Sequence, residues 1–187
     1  MTIKYNNVFI EDAYTICGNY ENDGPLSKYF DKKYEKDLYF GEKSWEQAEV
    51  HLLKEANTNI LKKNKLKEED IDLLISGDLQ NQIAASNYMA REFNIPFLGI
   101  FEACSTSGEG LAIGSTYIEG GFAQKILVST SSHNMAAEKQ FRNPTEYGTP
   151  KPKTATFTST GGVSILLSNK KSKVKVESST IGKVVDM

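Results

Sequence analysis

An α/β fold, a mixed and mostly parallel five-stranded sheet with helices on both faces, follows from two features of this sequence. Short apolar runs alternate with helical segments at a spacing that calls for parallel strands joined by right-handed crossovers. One of those runs passes directly into a helix through a turn of small residues around Cys104.

The chain has 187 residues, 39% of them hydrophobic, enough to bury one core and make a single domain. Its 22 basic and 24 acidic residues leave a net charge of -2, which argues against nucleic acid as a partner. Lysine runs at 62–67 and 170–175 read as solvated helix ends and turns. No stretch approaches the roughly 18 to 20 apolar residues of a membrane span, and Met1-Thr2-Ile3-Lys4-Tyr5 lacks a secretory signal pattern. Residence on the cytosolic side is therefore expected. Two cysteines in unrelated contexts, Cys17 and Cys104, argue against a disulfide framework or a cysteine-rich metal site. Neither a metal nor a cofactor is expected.

Residues 1–43 read as a loop-rich lead-in with one strand near Val8 to Ile10, and 44–187 as an α/β repeat unit. Ser44 and Gln47 suit a capping box. Trp45, Ala48, Leu52, Ala56 and Ile60 then mark the apolar face of a helix whose other side is polar. Asp72–Gly77 is a strand of the doubly covered kind, followed by a helix to about Phe93. Asn94-Ile95-Pro96 stops that helix, and Phe97–Phe101 predicts a second buried strand. A helix after Cys104 ends at Gly120-Gly121, and Lys125–Thr130 makes a third strand. From 133 to 160 the chain is irregular and too long for a plain connection, which makes it a candidate functional loop. Gly162–Leu167 and Val174–Thr180 predict an antiparallel hairpin at the sheet edge.

A cysteine where a strand turns into a helix is presented to a site, and the helix N-terminus favours its thiolate. Gly108 and Gly110 weaken the helix and suggest close approach by another backbone. The plain alternative is that Cys104 is a small buried hydrophobe.

The segment Ala103-Cys104-Ser105 resembles the nucleophile turn of the thiolase superfamily, and the order of elements resembles the N-terminal of that superfamily's two repeated halves. Asn81-Gln82, Ser131-Ser132-His133-Asn134 and Gln140-Phe141-Arg142-Asn143-Pro144-Thr145-Glu146-Tyr147-Gly148 are similar to the stage V sporulation protein AD family of spore-forming Firmicutes. That resemblance spans nearly the whole chain. It implies a thiolase-like half-domain over residues 1–187, with the C-terminal half absent. It further implies binding of dipicolinic acid, or its calcium complex, together with other proteins of the same operon at the spore inner membrane. Acyl transfer is not implied.

The ligand-binding candidates are Cys104, Ser105, His133, Asn134, Asp78, Asn81 and Arg142. His133 is either ligand-facing or a hydrogen-bonded structural residue. Asp78 and Asn81 sit just past a strand, where they either meet a polar ligand or form a turn. Arg142 and Lys139 could pair with ligand carboxylates, or Arg142 with Glu138 or Glu146. His51 and Cys17 read as structural. Three functions compete: a non-catalytic binding module, an acyltransferase with Cys104 as nucleophile, and a fragment without activity. In the last case the helix after Cys104, with Leu111, Ile113 and Tyr117, would carry a face without its partner, giving self-association.

Overall fold

The computed structural model describes residues 1–142, 154 and 156–185, the side chain of Arg142 excepted. Most of the expected loop motif around Pro144 and Tyr147 therefore lies outside the described residues.

Along the chain run β1 (Thr2–Lys4), β2 (Phe9–Cys17), α1 (Asn19–Asn22), β3 (Lys32–Lys33), α2 (Trp45–Lys63) and β4 (Leu73–Gly77). They are followed by α3 (Ala84–Ala90), β5 (Phe97–Gly99), α4 (Thr106–Glu119), β6 (Lys125–Ser132), α5 (Asn134–Ala137), β7 (Gly161–Ser168), β8 (Val174–Lys175) and β9 (Ser178–Thr180). The main sheet has the order β3-β2-β7-β6-β4-β5, with β8 added against β2, while β1 and β9 pair separately. The α/β architecture and the mixed sheet stand as expected, but the sheet has seven strands rather than five. Nor is it mostly parallel. β4 runs parallel to β5 and β6, and β2 to β3, whereas β7 is antiparallel to both its neighbours.

Two strands account for the difference. The run Phe9–Cys17 carries Glu11, Asp12 and Tyr14, so its sequence lacks an apolar stripe, yet it pairs along its whole length with β7. The expected edge hairpin does not form. β7 lies inside the sheet, covered on both faces, because Gly161 and Gly162 let it pass close to Ile16 and to Leu52 of α2. Segment 174–180 turns away instead and pairs with β2 and β1. The second strand is also corrected. β5 is only three residues long and half-exposed, since it ends the sheet, and Phe101 is 54% exposed.

Alternating side chains divide the core. Leu74, Leu127 and Leu166 meet α2 and α3 on one face, while Ile75, Ile126, Val128 and Leu167 meet α4 on the other. Burying each Leu or Ile of this kind contributes about 1.5–3 kcal/mol. Ser44 Oγ accepts from the Gln47 amide at 3.2 Å, as expected, but the Gln47 side chain returns to the Lys43 amide. Ala48, Leu52, Ala56 and Ile60 are buried as the periodicity requires, whereas Trp45 leaves the core and stacks on Tyr39. The supposedly polar side of α2 is buried as well, at Glu49, Leu53, Asn57 and Leu61. Asn57 is satisfied there, donating to Ser129 Oγ and accepting from Ser164 Oγ. In α4, Gly110 rests against Val128 of β6, so a side chain and not a backbone explains it, and Gly108 faces open space. Gly121, at φ +74°, ends the chain's exit from that helix.

β4 ends at Gly77, where an added Cβ would lie 2.3 Å from the Ile100 carbonyl oxygen. Gly77→Ala is therefore expected to cost about 2–3 kcal/mol of stability in urea unfolding. An unchanged midpoint would contradict this close approach.

Candidate functional site

Ile100 still donates its amide to the Ser76 carbonyl, and the chain then bends sharply. Ala103 takes the left-handed conformation, φ 45°, which a non-glycine residue adopts at a cost. A 3₁₀ turn, Ala103–Ser105, leads into α4 and leaves Cys104 exposed. The turn is locked by its own neighbours: Thr106 Oγ1 donates to the Ala103 carbonyl at 2.8 Å and accepts from the Glu102 amide. The expected bend from sheet to helix is thus present.

Cys104 lies on a cleft of about 880 Å³ at the C-terminal ends of β2, β4 and β6 and the start of β7, the edge where open α/β sheets place ligands. Phe30, Phe101, Phe141 and Phe157 supply flat apolar surface. Thr106, Ser107, Thr130, Ser131 and Ser132 supply hydroxyls. The charged group that reaches the described lining is Asp78.

The other candidates separate. Asp78 lines the cleft but is almost wholly buried, its two oxygens accepting the Gln80 and Ser86 amides at 2.8 and 2.7 Å. Burial pushes its carboxyl above the ordinary value. Ser105 does not line the cleft, because its hydroxyl donates back to the Glu102 carbonyl. Asn81 is exposed away from it, with its amide donating to Gln140 Oε1. Lys139 is held by Glu46 at 2.8 Å. The Arg142 side chain lies outside the described residues.

His133 and Asn134 are not ligand-facing, although they follow β6 at the binding edge. His133 is fully buried, its Nε2 donating to the Leu38 carbonyl at 2.8 Å and its Nδ1 accepting from the Ala136 amide at 3.4 Å. Asn134 donates through Nδ2 to the Thr158 carbonyl and through its backbone to Thr160 Oγ1. Both hold the walls of the cleft, and neither lines it. His51, half-buried on α2, bonds Glu42 and Tyr34 as a structural residue should. Cys17 is buried, and burial raises its thiol pKa.

Sequence reasoning missed Glu49 and Ser131. Glu49 is fully buried on α2, where its Oε1 accepts from Ser131 Oγ and its Oε2 from Gln80 Nε2, each at 3.0 Å. A carboxylate between Ala48 and the Leu52-Leu53 pair was the available signal. Ser131 stood within a quoted motif without being singled out.

The sequence profile of stage V sporulation protein AD matches residues 1–187. The chain belongs to the stage V sporulation protein AD family. A relative from Bacillus subtilis (strain 168), itself described as stage V sporulation protein AD, is 48% identical over 180 residues. The match covers 96% of this chain and 53% of that protein, so the chain spans about half the length of the curated relative. Among solved structures, an OleA variant from Xanthomonas campestris superposes with a TM-score of 0.57 at 15% identity, over 89% of this chain and 59% of the other. The 3-oxoacyl-[acyl-carrier-protein] synthase III of Aquifex aeolicus gives 0.53 at 16% identity, over 92% and 55%. These likenesses establish a thiolase-like fold for this family member. Among its described residues, no helix is long and apolar enough to cross a membrane.

Two outcomes follow from the placement of these groups. Iodoacetamide is expected to modify Cys104 in the native chain and Cys17 only after unfolding, as read by peptide mass mapping; equal labelling would refute it. Burial lowers the His133 pKa from 6.5. The neutral ring's contribution is therefore complete above that value and is lost as pH falls through it toward the depressed folded value. Unfolding free energy should consequently drop more between about pH 6.5 and pH 5 in the wild type than in His133→Gln. Identical pH slopes would remove His133 from this role.

Proposed function

We propose that this chain is a sporulation protein that binds dipicolinic acid, free or as its calcium complex, in the cleft at Cys104. It supports uptake of that acid into the developing spore without converting it. The observation that carries this reading is the lining, which combines four phenylalanine rings with the hydroxyls of Ser107 and Thr130, while those of Thr106, Ser131 and Ser132 donate within the chain. A pyridine dicarboxylate offers a flat ring to stack and carboxylates that accept from hydroxyl donors. Arg142 is the guanidinium proposed to complete the carboxylate contacts. Partnership with other products of the same operon, and a peripheral seat at the spore inner membrane, belong to the same proposal. So does association, with a second copy or with the remaining half of a full-length protein, through the face carrying Tyr117 and the 82%-exposed Phe122.

An acyltransferase reading is favoured by one observation, an exposed cysteine at the N-terminal end of α4 in a fold shared with condensing enzymes. Within these residues, which span about half of the curated relative, His51 and His133 are engaged elsewhere.

Isothermal titration with dipicolinate separates the readings. Saturable binding that Phe101→Ala weakens by about tenfold is expected. No heat in the wild type, or an acyl adduct on Cys104 after incubation with acyl-CoA, would overturn the binding proposal.

A further inference from the structure

Beneath one wall of the cleft lie two buried carboxylates. Gln80 joins them, its side chain donating to Glu49 Oε2 and its backbone amide to Asp78 Oδ1. Burial first and the Asp78 charge second push Glu49 up to about 7. Among the described residues, the charges nearest this pair on neighbouring elements are already committed. Lys139 is taken by Glu46, Glu138 accepts from the Thr158 amide, and His133 is buried against Leu38. His51, further along α2, is bonded to Glu42 and Tyr34. The facing residues of β6 and α3, Ser131, Ser86 and Met89, are uncharged.

Ser131 is the link from this pair to the cleft. It lines the cleft, and its hydroxyl donates to Glu49 Oε1 at 3.0 Å. While Glu49 is ionised, that hydrogen points away from any ligand. A protonated Glu49 reverses the bond, since its own O–H donates to Ser131 Oγ and frees the serine hydrogen to turn into the cleft. Its second oxygen still accepts from Gln80.

We propose that Glu49 is a positioning residue that couples the cleft to protons. An anion bound there is taken up together with a proton, which passes from solvent to the Glu49 carboxylate and turns the Ser131 hydroxyl toward the ligand. Among the described residues, no cation at this wall offsets a third negative charge beside two buried carboxylates. The inference rests on the dipicolinate reading above, and its test is built so that the two can fail separately.

Titration calorimetry of the whole chain with dipicolinate, in buffers of different ionisation heat, reads affinity and proton uptake together. Carboxylic acids of this type are ionised throughout the range used, so uptake belongs to the protein. Affinity is expected to fall about tenfold from about pH 6 to about pH 8.5, with proton uptake near neutrality. Glu49→Gln should bind with an affinity that no longer depends on pH and without uptake. Ser131→Ala should weaken binding at the lower pH and leave it unchanged at the higher. Wild-type binding without uptake, or uptake retained in Glu49→Gln, overturns this inference and leaves the binding reading standing. If Glu49→Gln fails to fold, the wild-type proton count and Ser131→Ala still decide. No binding at any pH removes both.

Discussion

The site depends on a knot of hydrogen bonds where β6 ends. Four successive residues there each fix a different part of the chain. Ser131 holds Glu49 of α2, Ser132 holds the Ser159 carbonyl, His133 holds Leu38, and Asn134 holds Thr158 and Thr160. His133 and Asn134 are buried, and buried polar groups must be paired, so their bonds are obligatory. Together they bring the lead-in, the first long helix and the segment before β7 to one strand end. The cleft is the space those segments leave between them.

That arrangement separates the residues that line the cleft from those that shape its surroundings. Cys104, Ser107 and Thr130 line the cleft, while the hydroxyl of Thr106 locks the turn and the histidine and asparagine are spent on architecture. A thiolase-like frame with its exposed cysteine is thereby furnished with rings and hydroxyls along one cleft. The buried Glu49 and Asp78, joined through Gln80, set two carboxyl groups beneath one wall, and burial raises the pKa of each.

Legibility in the sequence tracked the kind of physics each element uses. α2, β4 and β6 announce themselves because their burial is apolar, and α4 because a turn of small residues starts it and Gly120-Gly121 stops it. Only the start of β2 is legible, in the strand expected near Val8 to Ile10; the rest stays hidden because only Ile16 and Cys17 are fully buried and the pairing partner lies some 150 residues away. The bend at Cys104 was readable from small residues and from resemblance. The turning inward of His133 was not, since an imidazole at a strand end serves a ligand or a helix cap equally well until its partners, Leu38 and Ala136, are known.

By itself the sequence determined an α/β chain of the thiolase type, the strand-to-helix turn at its cysteine, and membership of a sporulation family. These rest on local periodicity, turn chemistry and short motifs, all of which are written in neighbouring residues. Only the tertiary structure decided that β7 lies inside the sheet, that His133 and Asn134 brace the cleft instead of lining it, and that Glu49 is buried beside Asp78. Each of those depends on partners distant along the chain, and the energy of a buried polar group is set by what it meets after folding.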